Sequence, residues 1–134
     1  MAILFSDKWM NQLKEEWNNE PEVSGALAKI GFNSVISCGY KSDDKPCGVF
    51  VVENGICISA GEYNGENTDW DMRADKDSWM KWIAKPLNMM TMGMAFTTGK
   101  LKFPTGDFKA MLKDPGMASP FVKSFALMSK IGGE

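Results

Sequence analysis

The sequence contains no histidine. The side chain that most often moves protons near neutral pH is therefore missing. With it go Ser-His-Asp triads, Cys-His pairs and every imidazole metal ligand. Cysteine is scarce: Cys38, Cys47 and Cys57 are the only three, and none stands in a C-x-x-C pair. An odd, widely spaced set is neither a disulfide framework nor a zinc knuckle nor a redox dithiol. The thiols read as small buried hydrophobes in a reducing compartment. No apolar run approaches the roughly 18 residues of a membrane span. The opening Met1-Ala2-Ile3-Leu4-Phe5-Ser6-Asp7 has no basic n-region and too short an apolar stretch for a secretory signal, so a cytoplasmic location is expected. The glycines are scattered turn residues, with no phosphate-binding loop among them. The acid pairs Asp43/Asp44 and Asp69/Asp71 lack calcium-loop spacing and give little support to a metal or catalytic role. An acidic pI near 5.2 argues against nucleic-acid binding.

What remains is apolar and soft. The 134 residues suit one domain, 1–134, long enough for a full core. Hydrophobic residues make up 44% and charged residues 24%, which excludes disorder. Eleven methionines, eight phenylalanines and five tryptophans supply large, deformable apolar surface. The net charge of −2 conceals a division. Residues 1–75 carry 6 Lys/Arg and 13 Asp/Glu, whereas residues 76–133 carry 9 Lys and 3 Asp. This is either two solvated faces or a basic half that meets something anionic, such as a phospholipid surface.

The pattern along the chain predicts an α+β fold. Ser6 caps a helix to about Asn18, with Trp9, Leu13 and Trp17 on one face. Pro21 opens a short second helix through Ala28, and Gly31 ends it. Strands are expected over Phe32–Tyr40, Cys47–Val52, Ile56–Ala60 and Thr68–Ala74, with Asn54-Gly55 as a tight hairpin turn. Their connections look too short for crossovers, which predicts an antiparallel meander. Asp75 caps a helix that turns Trp79, Trp82 and Ile83 inward, and Pro86 breaks it or opens the next one. A Met-rich segment, Leu87–Phe96, precedes a fifth strand over Gly99–Phe103. Asp107 caps a helix to about Lys113, Pro115-Gly116 forms a turn, and Ser119-Pro120 opens a last helix bearing Phe121, Phe125 and Met128 on one face.

Two features bear on function. Met89, Met90, Met92 and Met94 crowd one segment. They pack an irregular core, line a ligand cavity, or hold Cu(I) through thioethers, the last without a His or nearby Cys to complete the set. Residues 79–128 also hold more aromatic and Met side chains than a single core of this size obviously needs. Either the core is aromatic-rich or part of this surface faces an interior cavity, and an apolar cavity usually takes an apolar guest.

The run Asp77-Ser78-Trp79-Met80 through Ala95-Phe96-Thr97-Thr98-Gly99-Lys100-Leu101-Lys102, followed by Gly106-Asp107, resembles the sterol carrier protein type 2 family. That family pattern is an acid-started helix, Ala-Phe-x-x-Gly-Lys-Leu-Lys, then Gly-Asp/Asn opening another helix. Phe5-Ser6-Asp7-Lys8-Trp9 through Pro21-Glu22 likewise resembles the first helix of small stand-alone bacterial members. The resemblance implies a five-stranded, mostly antiparallel sheet covered by helices, with an apolar tunnel between the two layers. It implies non-catalytic binding or transfer of a fatty acyl chain, acyl-CoA, phospholipid or sterol-like ligand, with no catalytic residue, metal or cofactor. Trp79, Trp82, Ile83, Met90, Met94, Phe96, Leu101 and Phe103 would surround the tunnel, and the helix bearing Phe121, Phe125 and Met128 would close one end. Phe108 and Met111 join the expected ligand-binding set from the helix capped by Asp107. The sequence departs from the family at Phe103-Pro104-Thr105-Gly106, where the proline should end or bulge the strand. The segment Lys85–Met94 is also longer and richer in Met. Lys81, Lys85, Lys100, Lys102, Lys109, Lys113 and Lys123 are positioned to hold an anionic head group or membrane surface. The alternative role is an accessory subunit that presents a hydrophobic substrate to a partner enzyme.

Overall fold

Ser6 starts the first helix by accepting the Trp9 amide at 3.3 Å, and α1 runs Asp7–Asn18 with Trp9, Met10, Leu13 and Trp17 buried on one side. In this computed structural model, which describes residues 2–134, Pro21 opens a wide turn in which the Ala26 amide reaches the Pro21 carbonyl. That turn runs into α2, Ala26–Lys29, and Gly31 ends it with a left-handed φ of +62°. Four strands follow: β1 Ser34–Tyr40, β2 Gly48–Glu53, β3 Ile56–Glu62 and β4 Trp70–Ala74. Then come α3 Lys76–Ala84, α4 Met89–Thr97, β5 Lys102–Thr105, α5 Phe108–Leu112 and α6 Pro115–Ile131.

The five strands form one sheet in the order β3-β2-β1-β4-β5. Three neighbouring pairs are antiparallel, as expected. The meander, however, stops after β3. The chain crosses past two strands, and β4 pairs with β1 in parallel, Ile36 opposite Trp70 and Cys38 opposite Met72. Residues 63–69 are enough for this, because an extended chain gains about 3.3 Å per residue and the three strand spacings to be crossed amount to about 14 Å. A connection that looks too short for a crossover is long enough to make one, even with a turn at Gly65, where φ is +93°.

Proline acts differently at its two late positions. Pro104 lies in the edge strand β5, where two steps on β4 (Asp71 to Arg73) match three on β5 (Thr105 to Lys102), the bulge expected of it. Pro120, expected to open the last helix, lies inside it. That helix starts one turn earlier, with Pro115 in its first turn and Asp114 accepting the Gly116 amide at 3.0 Å. Pro120 is close enough to the start to cost only one ladder bond, the one to the Gly116 carbonyl.

Helices are tied to the sheet by indole N–H groups. Trp17 Nε1 donates to the Gly55 carbonyl at 2.9 Å and Trp79 Nε1 to Gly39 at 2.9 Å, while Trp9 Nε1 donates to Gly132 at 2.7 Å. Asn18 accepts from the Cys57 amide and donates to its carbonyl, closing the exposed edge of β3 with α1. The Asn54-Gly55 turn is the expected hairpin. A side chain at Gly55, whose φ is +82°, would strike the backbone of the second helix.

The face of the sheet away from the core carries a buried ion pair. Arg73 Nε donates to both Asp71 oxygens, at 2.9 and 3.1 Å, and its Nη1 donates to the carbonyls of Tyr40 and Asp43. Arg73 thereby clamps the loop between β1 and β2 to the sheet. Removing one partner of such a pair leaves a buried charge without compensation. Arg73→Ala is expected to lower stability by about 3 kcal/mol in urea denaturation. A loss within the roughly 0.5 kcal/mol of an ordinary surface substitution would show that the pair and its loop are not structural.

Candidate functional site

Alternation on the strands builds an apolar wall. Phe50 lies opposite Ile36 and Ile36 opposite Trp70, so these three side chains form a row across the sheet, with Met72 two residues beyond Trp70 on the same face. Helices stand over this wall. Trp17 of α1 meets the Phe50 ring edge-on at 5.2 Å, and Leu27, Phe32, Met111, Met117, Phe121 and Ser124 complete the lining. The space enclosed is a cleft between sheet and helices with a free interior of about 40 Å³. Ten of its eleven lining residues are apolar, and Ser124 turns its hydroxyl aside to the Phe121 carbonyl. Three are methionines, whose unbranched side chains reshape at low cost.

The expected ligand-binding residues divide into five sets. Met111 and Phe121 line the cleft. Phe96, Phe103 and Phe108 form a ring cluster that leads to it: Phe96–Phe108 centroids are 4.5 Å apart, Phe103–Phe108 4.8 Å and Phe103–Phe121 6.0 Å. Trp79, Trp82 and Phe125 pack instead as a solid aromatic core between α3 and α6, with Trp79–Trp82 at 5.2 Å and Trp79–Phe125 stacked at 6.3 Å. Ile83, Leu101 and Met128 are buried but do not border the cleft. Met90 and Met94 lie outside it altogether, 75% and 60% exposed on the outer side of α4, which turns Met92 and Ala95 inward. Sequence reasoning misses the sheet residues, although Ile36-x-Cys38, Phe50-x-Val52 and Trp70-x-Met72 alternate visibly. The crossover that brings Trp70 and Met72 beside Ile36 carries no sequence signal.

No protein-family model matches the sequence, and no curated protein matches it significantly. Solved structures do. A structure of sterol carrier protein 2 superposes with a TM-score of 0.75 at 18% identity, over 95% of this chain and 98% of that one. The chain has the sterol carrier protein 2 fold. A conserved hypothetical protein of Thermus thermophilus, named a possible sterol carrier protein, gives a TM-score of 0.69 at 18% identity, covering 100% of this chain and 93% of its own. The ubiquinone synthesis protein UbiJ-SCP2 gives 0.57 at 14%, covering 91% and 86%. The resemblance read from Ala95–Asp107 is borne out at the level of fold.

The chemistry available at the site is sparse. Among the described residues no three Cys, Asp or Glu side chains converge to hold a metal ion, and no helix is long and apolar enough to cross a membrane. The thiols are held protonated. Burial pushes the Cys38 thiol far above its ordinary range, with Asp71 reinforcing it, and pushes Cys57 up to about 11. Cys47 is raised too, by burial and by Asp43. A neutral thiol is a poor nucleophile. Because the folded state holds these protons above the ordinary thiol value of 9.0, stability from this source is complete below that pH and is lost as pH rises through it toward 11. Urea denaturation of the wild type should show this decline, and a Cys38→Ala/Cys57→Ala variant should show a shallower one. Equal slopes would contradict the buried-thiol assignment.

Proposed function

We propose that residues 1–134 act as one domain that binds and transfers an apolar ligand, a fatty acyl chain or a molecule built on one, without catalysis. The observation that carries this reading is the cleft: a wall of Phe50, Ile36, Trp70 and Met72 faced by side chains of α5 and α6, with one hydroxyl in its lining. Each buried methylene contributes about 0.8 kcal/mol, so about ten of them gain about 8 kcal/mol before binding costs, enough for micromolar affinity with no polar chemistry.

The closed cleft is smaller than a drug-sized pocket of a few hundred Å³. Entry of a chain therefore displaces lining side chains, and α6 is built for this in its first half. Its later residues Phe125, Leu127 and Met128 are buried, and Ser129 Oγ bonds the Ile83 carbonyl at 2.6 Å. Its earlier part presents half-buried Met117 and Phe121 and is interrupted by Pro120, which leaves the Gly116 carbonyl without a helical donor. Met111, Met117 and Phe121 swing aside while the second half stays anchored. The lysines of the chain's second half attract an anionic head group, a contribution that falls with added salt.

A second reading is favoured by the likeness to a protein named for ubiquinone synthesis: the cleft presents a hydrophobic substrate to a partner enzyme. Free thiols suit the reducing cytoplasm in which either role would operate. Displacement of a fluorescent fatty acid by unlabelled fatty acid tests the first reading. Wild type is expected to bind in the micromolar range, and Ser124→Phe, which fills the cleft, to bind at least about tenfold more weakly. No uptake by the wild type, or equal affinity of the filled variant, would overturn the assignment of this cleft.

A further inference from the structure

The methionines that do not line the cleft have an assignment of their own. The α4 sequence Met89–Thr97 contains no charged residue, and the Asn88–Thr91 capping box fixes its start, Asn88 accepting from the Thr91 amide at 2.9 Å. Its inner side buries Met92 and Ala95. Its outer side carries Met90 and Met94, one turn apart, 75% and 60% exposed, with Met89 at 44% beside them. Burial in this protein's own core does not account for three neighbouring exposed methionines.

The surroundings of Met90 and Met94 are cationic, whereas Met89 borders a groove in which Glu22 pairs with Lys123. The groove on one flank of α4 is lined by Lys81, Lys85 and Lys100, and the groove on the other flank by Lys109; neither groove contains an acidic residue. None of these four lysines forms a salt bridge among the described residues, whereas Lys41, Lys123 and Lys130 do. An apolar ridge rimmed by unpaired lysines is complementary to an anionic bilayer, where thioether chains enter the acyl boundary and ammonium groups reach the phosphates. The ridge is one nine-residue helix wide. That is narrow for the roughly 800 Å² per partner of a stable protein interface, but sufficient for shallow insertion.

The ridge also adjoins the cleft. Beneath Met90 and Met94, the same flank groove is floored by Phe96 and Phe108. The Phe96 and Phe108 centroids are 4.5 Å apart, and Phe108 meets Phe121, which lines the cleft, at 6.3 Å. We infer that α4 is the docking face of this protein on an anionic phospholipid bilayer, and that Phe96, Phe108 and Phe121 form the apolar route from that face to the cleft. The docking stands on the ridge and its lysines; the route rests on the ligand-binding reading above.

The test is flotation of the full chain with phosphatidylcholine vesicles, with and without phosphatidylglycerol. Wild type is expected to float with the anionic vesicles alone and to be released by high salt. Met90→Asp/Met94→Asp is expected to lower partitioning at least about tenfold, and Lys85→Glu/Lys100→Glu by about the same factor, while Met90→Leu/Met94→Leu retains it. Fatty-acid displacement without vesicles should be unchanged in Met90→Asp/Met94→Asp, which also reports that the variant is folded. Wild type that does not float, or an aspartate variant that floats like wild type, overturns the docking face and leaves the ridge to a protein partner. Uptake of fatty acid without flotation overturns docking alone; flotation without uptake supports docking and overturns the ligand reading and the route with it.

Discussion

The structure depends on one constraint: a single face of a five-stranded sheet must be covered, and its cover is made of side chains that fit loosely. Phe50, Ile36, Trp70 and Met72 present a continuous apolar wall. Burying that wall drives the packing of α1, α5 and α6. A jigsaw of branched side chains would have sealed it. Trp17 meets it edge-on, and Met111, Met117 and Phe121 cover the remainder from elements that are short or interrupted by proline. The result is a seam of about 40 Å³ between layers that are otherwise closely packed.

Rigidity is placed elsewhere. Indole N–H groups lock α1 to the β2–β3 turn and α3 to β1, and the Trp79–Trp82–Phe125 group welds α3 to the later part of α6. On the opposite side of the sheet Arg73, itself held by the Asp71 carboxylate of its own strand, ties the β1–β2 loop through the Tyr40 and Asp43 carbonyls. Trp17 apart, these fixed points lie away from the seam, whose lining is apolar but for Ser124, and Ser124 bonds within its own helix. Local opening of the seam draws on the least stable part of a fold and needs no global unfolding.

Much of this was legible in the sequence. Apolar spacing marked α1, the Asn54-Gly55 turn marked the β2–β3 hairpin, and the Ala95–Asp107 pattern pointed to the fold. The Pro104 bulge followed from a missing donor. Three things were not legible. The parallel β1–β4 pairing depends on a short crossover, residues 63–69, that carries no distinguishing pattern. The start of α6 was hidden because Pro115 and Pro120 both read as first-turn residues, and only the Asp114 cap decides between them. The division of the apolar side chains between cleft, core and surface was also hidden. Met90 and Met92 have the same chemistry, and only the rotation of α4 sends one into solvent and the other into the core.

The central claim is that the seam between sheet and helices parts to admit a hydrocarbon guest. Native mass spectrometry of protein purified from its own host, followed by organic extraction, addresses it directly. The account predicts a population heavier than the bare chain, whose excess mass is removed by solvent and recovered as an acyl-bearing lipid. A single mass equal to the bare chain, persisting after incubation with long-chain fatty acids, would contradict it.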